Sequence, residues 1–416
     1  MMRTAWRVAL LTMAGAICVS ALAQEANPNK AGSDAYNAAQ QLYNAAKYAE
    51  AGKAFEAFLK DFPGHGNQDA GYYMATVSYY NACDYNNCIR MAQAHEKAFP
   101  GPTAYKCSSM RYATYATANT NKNEECIAIA ERLLADAAYS DRYGLWYAIT
   151  DAYSRLNQHD KRIAACDRFA KDATAPAVRR ADMLLRKMDS LRALKKFDDA
   201  IAVAEEIVKL IPNTLWAAQA WEKVATIQYY DLKQYDKACE SYKRAASEPT
   251  YTNAEYCMRM ACVSLDNIRP ADYAKTAAAF EEAIQKFPGQ PFDATNRERL
   301  AQLQNALKEY AKELKTRLDL DQIYGKSAAA PANLQGIMNL ASRDETAKPE
   351  SMKAAQRLVA EHMGTPQAEQ ALWWLANQAK TAGDNEAAKK YLNTLIEKYP
   401  AGSVFPSAQK LLASIK

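Results

Sequence analysis

A phrase of about 38 residues returns along this chain, and that interval limits what the chain can fold into. Residues 42–64 read LYNAAKYAEAGKAFEAFLKDFPG, and residues 79–101 read YYNACDYNNCIRMAQAHEKAFPG. With Ala51 as an anchor, Tyr48 stands three before it, Phe55 and Phe58 four and seven after it, and Pro63 twelve after it. Cys88, Cys126, Arg162, Ala200, Ala238 and Thr276 head the next six units, with steps of 37, 38, 36, 38, 38 and 38 residues. Offsets of zero, four and seven share one face of a helix. A proline twelve after the anchor cannot continue that helix and ends it.

A second apolar pair stands twelve and nine before the anchor: Ala39/Leu42, Thr76/Tyr79, Thr150/Tyr153, Met188/Leu191 and Thr226/Tyr229. Each unit therefore reads as two antiparallel helices with a tight turn near Lys47, Asp84 or Lys195. The small anchor lets the helices approach, and the aromatic three before it wedges into the turn. One such hairpin cannot bury its apolar face alone, so neighbours must stack. The expected fold is all-α, a right-handed solenoid of antiparallel helical hairpins. With 49% hydrophobic and 24% charged residues, the chain can supply the core this needs.

The wording changes after Pro288. Leu300, Leu303, Leu307, Tyr310, Leu314 and Leu318 form a three-four stripe, and no Gly or Pro interrupts residues 297–324. This segment reads either as one long amphipathic helix or as a degenerate hairpin with a hidden turn. Residues 325–332, GKSAAAPA, read as a linker. The repeat resumes at Ala354 and Ala388, and SVFPSAQKLLASIK supplies a closing helix over the apolar end of the array. The expected layout is a signal peptide at 1–23, a flexible segment at 24–33 and seven repeats at 34–290. The long helix or degenerate repeat follows at 291–324, then the linker at 325–332, then two further repeats and a cap at 333–416.

The small or apolar anchor, the residues four and seven after it and the closing proline resemble the tetratricopeptide repeat family. The units are longer than that family's usual repeat, and units three and four lack the proline. The opening phrase, and the closing EKYPAGSVFPSAQKLL, resemble bacterial envelope repeat proteins of the Tol-Pal and outer-membrane assembly type. The resemblance implies a non-enzymatic scaffold or adaptor that binds a protein or peptide on its concave face, in assembly or maintenance of the cell envelope. Two other readings stand beside it: a helical accessory part of a peptidoglycan-processing system, and an oligomeric assembly factor self-associating through 297–324.

The first residues bear on compartment. Arg3 and Arg7 precede an apolar run from Val8 to Ala23, and Ala21-Leu22-Ala23 has the small-x-small form of a cleavage site. The run is shorter than the roughly 20 residues needed to span a bilayer. Ile17 stands before Cys18, where a lipid-anchor signal needs a small residue. We expect export, cleavage after Ala23, a periplasmic location and no later membrane span. The net charge of +5 is spread along the chain without a basic block, which argues against nucleic acid.

Eight cysteines follow the leader. Cys88 and Cys126 occupy anchor positions, so buried thiols are expected, with a Cys83–Cys88 disulfide as the alternative. His65, His95, His159 and His362 lie at no metal-ligand spacing from carboxylates or thiols, so neither metal nor cofactor is expected. Isolated Asp and Glu residues read as solvated helix faces.

In the resembling family, first-helix residues line the concave face. Counting back fifteen, eleven and seven from the anchors gives Tyr36, Gln40 and Asn44; Tyr73 and Asn81; Arg111, Tyr115 and Asn119; and Tyr147, Asp151 and Arg155. Tyrosine gives contact area at low entropic cost, and asparagine can bond a peptide backbone. The alternative is that tyrosine, 26 in all, merely fills gaps between helices. The packing anchors are Ala51, Cys88, Cys126, Ala200, Ala238, Ala354 and Ala388. In Trp373-Trp374, one ring should be core and the other could be exposed.

Overall fold

Every described turn inside a hairpin but two contains a residue with left-handed backbone, and it falls five positions before the anchor. Ala46, Cys83, Asn121, Asn157, Lys195, Lys233, Lys308 and Gly383 all have φ between 55° and 80°. The residue after each one closes a wide hydrogen-bonded loop back to the end of the first helix. Lys47 N donates to Leu42 O at 2.9 Å, Asp84 N to Tyr79 O at 2.9 Å, Lys196 N to Leu191 O at 2.8 Å and Glu309 N to Gln304 O at 2.8 Å. This is the Schellman closure, which satisfies the otherwise orphaned carbonyls of a helix end. It reverses the chain within three residues, so each second helix starts beside the one before it.

The computed structural model describes residues 28–101, 103–135 and 142–415. The leader at 1–23 lies outside the described residues. The described residues form helices and no strand. They divide into two units, inside helix α10, between Val203 and Ala204. Unit one contains α1 (Pro28–Asn44), α2 (Tyr48–Asp61), α3 (Gln68–Asn81), α4 (Tyr85–Ala98), α5 (Ala104–Asn119), α6 (Asn123–Ala135), α7 (Arg142–Arg155), α8 (His159–Ala170) and α9 (Ala177–Ala193), and it ends within α10 (Phe197–Leu210). Unit two continues with α11 (Leu215–Thr226), α12 (Tyr235–Ala246), α13 (Ala254–Asp266), α14 (Tyr273–Lys286), α15 (Asp293–Ala306), α16 (Tyr310–Tyr324), α17 (Ala330–Leu340), α18 (Lys348–Glu361), α19 (Pro366–Thr381), α20 (Asn385–Lys398) and the closing α21 (Phe405–Ser414).

Odd-numbered helices open hairpins and even-numbered ones close them. All seven expected anchors are at most 2% exposed, as are the small residues Ala39, Thr76, Thr114, Thr150, Ser264, Ala301 and Ala376 twelve positions earlier. Small faces small across each hairpin, and larger side chains such as Phe55, Phe58, Leu145, Phe280, Leu358 and Leu392 fill the space between hairpins. Burying one such side chain contributes roughly 1.5–3 kcal/mol. The aromatic three before the anchor packs edge-on against a first-helix tyrosine: Tyr48 on Tyr43 at 5.3 Å, Tyr85 on Tyr80 at 5.7 Å, Tyr235 on Tyr229 at 5.3 Å.

Several expectations change. Helix α1 already begins at Pro28, so the segment expected to be flexible is helical from 28 to 33. The cause is local: Ser33 Oγ and the Asn29 carbonyl both lie within 3.2 Å of His65 Nε2, tying the helix start to the α2–α3 turn. Of the two readings of residues 291–324, the structure shows the hairpin, with two helices and the chain reversing at Lys308. Leu300 and Leu303 of the stripe are buried within unit two. The expected linker shrinks to a short turn, because α17 starts at Ala330 with Pro331 in its first turn. In hairpin six, Ile227–Asp231 form a π turn that inserts one residue. Ile227 and Gln228 are thereby the buried pair, in place of Thr226 and Tyr229. Trp373 and Trp374 are both half-buried, on different core clusters.

All eight cysteines of the described residues are free thiols, so Cys83 and Cys88 are not bridged. Isolated carboxylates are not all solvated either. Asp293 and Glu313 are each 1% exposed, with Arg297 and Arg317 one turn on. Glu313 occupies the anchor position of hairpin eight.

Candidate protein-binding face

Hairpins one to four place their first helices, α1, α3, α5 and α7, in succession through unit one. Period 3.6 brings positions fifteen, eleven, eight and seven before each anchor to one side of each helix. Tyrosines at these positions, Tyr73, Tyr80 and Tyr115, touch others across helices, with Tyr105 and Tyr112 filling the row between them. Tyr73 lies 5.6 Å from Tyr105 and 6.3 Å from Tyr112, and Tyr80 lies 5.1 Å from Tyr112 and 6.5 Å from Tyr115. Further along, Tyr143 and Tyr147 are 6.2 Å apart. Centroid separations of this size are those of favourable aromatic pairs.

Cations cap this row. The Arg186 guanidinium lies 3.6 Å over the Tyr147 ring and is held by Asp182 at 3.1 Å. Arg179 sits 4.0 Å over Tyr143, and Arg111 5.5 Å over Tyr112. Asp151 pairs with Arg155 at 2.9 Å, and Arg155 also donates to the Ala118 carbonyl, bridging α7 to α5. Tyr80, Tyr115, Asn119, Tyr143, Tyr147 and Arg155 help to line one open cavity of 590 Å³. The small residues Ala118, Gly144 and Ala148 also line it.

Tyr73, Tyr80 and Tyr143 stay protonated at physiological pH. Burial raises Tyr73 and Tyr80 above their ordinary value, and Tyr143 is pushed up to about 12 by burial and then by neighbouring Asp182. Each is therefore a neutral phenol, and Tyr143 spends its O–H on Asp182 Oδ2 at 3.0 Å.

The structure sorts the sequence candidates. Tyr115, Asn119, Tyr147, Asp151 and Arg155 come together in the cavity. Tyr73 and Arg111 belong to the adjoining aromatic row. Tyr36 turns inward, edge-on to Phe55 and Phe58 at 5.4 and 5.5 Å. Asn44 is exposed and Gln40 half-buried, both on α1. Asn81 is not a free backbone reader: its amide donates to the Tyr43 hydroxyl at 3.0 Å. Counting missed Tyr43, Tyr80, Tyr112, Tyr143, Arg179 and Arg186. Tyr43 and Tyr80 stand eight before their anchors, next to the seven-before position, so alternating three- and four-residue steps would have found them.

One other cluster holds the members of a nucleophilic triad. His95 Nε2 lies 2.7 Å from Asp69 Oδ1, and its Nδ1 lies 2.8 Å from Ser109 Oγ. Both His95 and Ser109 are fully buried, so no substrate reaches the hydroxyl. The cluster ties α3, α4 and α5 together. Among the described residues no group of three or more His, Cys, Asp or Glu side chains is placed to hold a metal. No described helix is long and apolar enough to cross a membrane.

Stacked helical hairpins with tyrosines grouped on their first helices define a repeat scaffold. Residues 370–401, in hairpin ten, match the tetratricopeptide repeat family model. No curated protein matches the sequence. Three solved structures are similar. A Naa15/Naa10 structure bound to HypK-THB is 15% identical, with a TM-score of 0.41, over 91% of this chain and 65% of that one. The chain thus spans just under two thirds of that protein's length. Apo RapI is 11% identical with a TM-score of 0.39, over 92% and 99% of the two chains. The C-terminal part of a tetratricopeptide-repeat-containing protein from Cytophaga hutchinsonii is 15% identical with a TM-score of 0.46, over 63% and 98%.

Proposed function

We propose that this chain is a non-catalytic scaffold that holds a protein or peptide partner on the tyrosine face of unit one. We place it in the periplasm, in assembly or maintenance of the cell envelope. The observation that carries the binding role is the cavity between α5 and α7, where half-exposed tyrosines are already fixed by ring contacts and arginine caps. Side chains ordered before binding lose little entropy on contact. Tyrosine in such a setting is a typical hot spot, costing about 2 kcal/mol or more when truncated. The arginine-led apolar run that ends at Ala23 supports the compartment, and the resemblance of the two terminal phrases supports the envelope role.

Panning the full chain against a library of extended peptides tests the face, with titration calorimetry on the recovered sequences. Tyr115→Ala with Tyr147→Ala should weaken binding about tenfold or more, while Tyr36→Phe, in the hairpin interior, should leave it unchanged. Equal affinity for wild type and the double variant would remove the assignment. Fractionation of cells expressing the full-length chain tests the compartment: recovery with cytoplasmic markers would overturn it.

A further inference from the structure

Hairpin eight replaces the small anchor with a carboxylate, and a polar pocket lies beside it. Glu313 takes the place that Ala51 or Ala238 takes elsewhere and is 1% exposed. A buried carboxylate is costly unless paired and hydrogen-bonded. Asn305 donates to its Oε2 at 2.7 Å and Arg317 Nε to its Oε1 at 2.8 Å. That pairing uses only the Nε edge of the guanidinium, and the two Nη groups make no hydrogen bond among the described residues. Gly336 on α17 makes room for them, since a Cβ there would overlap the Arg317 guanidinium. A glycine inside a helix costs roughly 1 kcal/mol against alanine, and here it leaves space for that side chain.

Arg317 helps to line a pocket of 230 Å³ within unit two, between α15, α16 and α17. At about 30 Å³ per water it has room for a small organic molecule, not a macromolecular segment. Two further lining residues carry acceptors with no partner: Asp321 Oδ1 and Asn333 Oδ1. Asp321 is held through Oδ2 by Arg357, and Asn333, 5% exposed, donates through Nδ2 to the Arg317 carbonyl. An unmet buried acceptor costs about 1–3 kcal/mol. Glu298 adds an exposed carboxylate at the rim.

One wall group thus offers unused donors, and three offer acceptors of negative or partly negative charge. We propose that this pocket binds a free α-amino acid, with its carboxylate on the Nη groups of Arg317 and its ammonium on Asp321, Asn333 and Glu298. A simple anion would meet Glu298 and Asp321 unfavourably, and a simple amine would leave Arg317 unanswered. Glu313 and Gly336 are positioning residues: one holds the guanidinium by its Nε, the other gives it room. The site is separate from the tyrosine face and does not depend on it.

The test is thermal unfolding and calorimetry of the full chain with each of the twenty amino acids. The best binder is then compared with its α-amide, its N-acetyl derivative and the amine lacking the carboxylate. At least one amino acid should bind and raise the midpoint, and each derivative should bind about tenfold more weakly or worse, because each loses a charge-assisted contact. Gly336→Ala should weaken binding by a similar factor with unchanged helical dichroism, and Glu298→Gln should weaken it severalfold. Tyr115→Ala with Tyr147→Ala should leave it untouched. No binding by any of the twenty, derivatives that bind within twofold of the parent, or full affinity in both pocket variants would overturn the proposal.

Discussion

The amide of Asn81 donates to the hydroxyl of Tyr43 at 3.0 Å, joining the end of one first helix to the end of the one before it. Asn267 makes the same bond to Tyr229, also at 3.0 Å, in unit two. The bond recurs because asparagine and tyrosine recur at the interval of the repeat. It is a bond between successive hairpins, where apolar contact alone would set the spacing loosely.

Removing either partner of the Asn81–Tyr43 bond should cost little on its own, since both groups reach water. A double-mutant cycle of Asn81→Ala and Tyr43→Phe, read by urea unfolding, should show a coupling of about 0.5–1 kcal/mol. Additive effects would mean that the bond contributes nothing in solution.

The left-handed turn residues give a second prediction with the opposite sign. Ala46 and Lys308 hold φ of 58° and 61°, where a Cβ costs roughly 1–2 kcal/mol. Glycine relieves that strain and gives back part of it in chain entropy. Ala46→Gly and Lys308→Gly should each stabilise by about 0.5–1 kcal/mol, and Gly383→Ala should destabilise by a similar amount. Denaturant midpoints of the three variants check this.

His95 sets a pH dependence. Burial pushes its imidazole below the ordinary value, against the pull of Asp69. The unfolded chain therefore takes up a proton near pH ~6.5, before the folded chain does. The stabilisation from neutral His95 is fully present above that pH and is lost as pH falls below it. Urea titrations from pH 8 to pH 5 should show this decline in the wild type. In His95→Gln it should be shallower, from a lower starting stability. Identical slopes would remove His95 as its source.

The thiols differ in reach. Burial holds the Cys88, Cys166 and Cys262 thiols high, at about 12, whereas Cys83 is exposed at a turn. Only thiolate alkylates readily. Iodoacetamide on the native chain at pH 8 should label Cys83 first and leave those three unmodified, and full labelling should need denaturant. Peptide mass spectrometry after a short pulse reads the order.

What the sequence revealed was whatever depends on spacing. Small anchors, small partners twelve residues earlier and tight turns all follow from period 3.6 and the 38-residue return. Details that depend on a single side chain or one added residue were hidden. Nothing in ATIQYYD announces a π turn, which turned Tyr229 away from the position that counting assigned it. Asn81 was legible as a face residue, but its partner was not, because Tyr43 lies one position off a strict four-residue ladder. Glu313 resembled any helix-surface glutamate. Its burial follows from its register with Ala51 and Ala238, and from an arginine one turn on that makes the register tolerable.

The charged anchor of hairpin eight also bears on how this array can change by duplication. A hairpin anchored by alanine presents an uncharged seam, and a copy of it could be inserted beside another without leaving an ion stranded. Hairpin eight is not transplantable in that way: its carboxylate requires Arg317, and Arg317 requires the glycine that only the following hairpin provides. Hairpins eight and nine therefore work best when inherited as a pair, and a recombination point that separates them should displace the Arg317 guanidinium from Glu313 while leaving the helices formed.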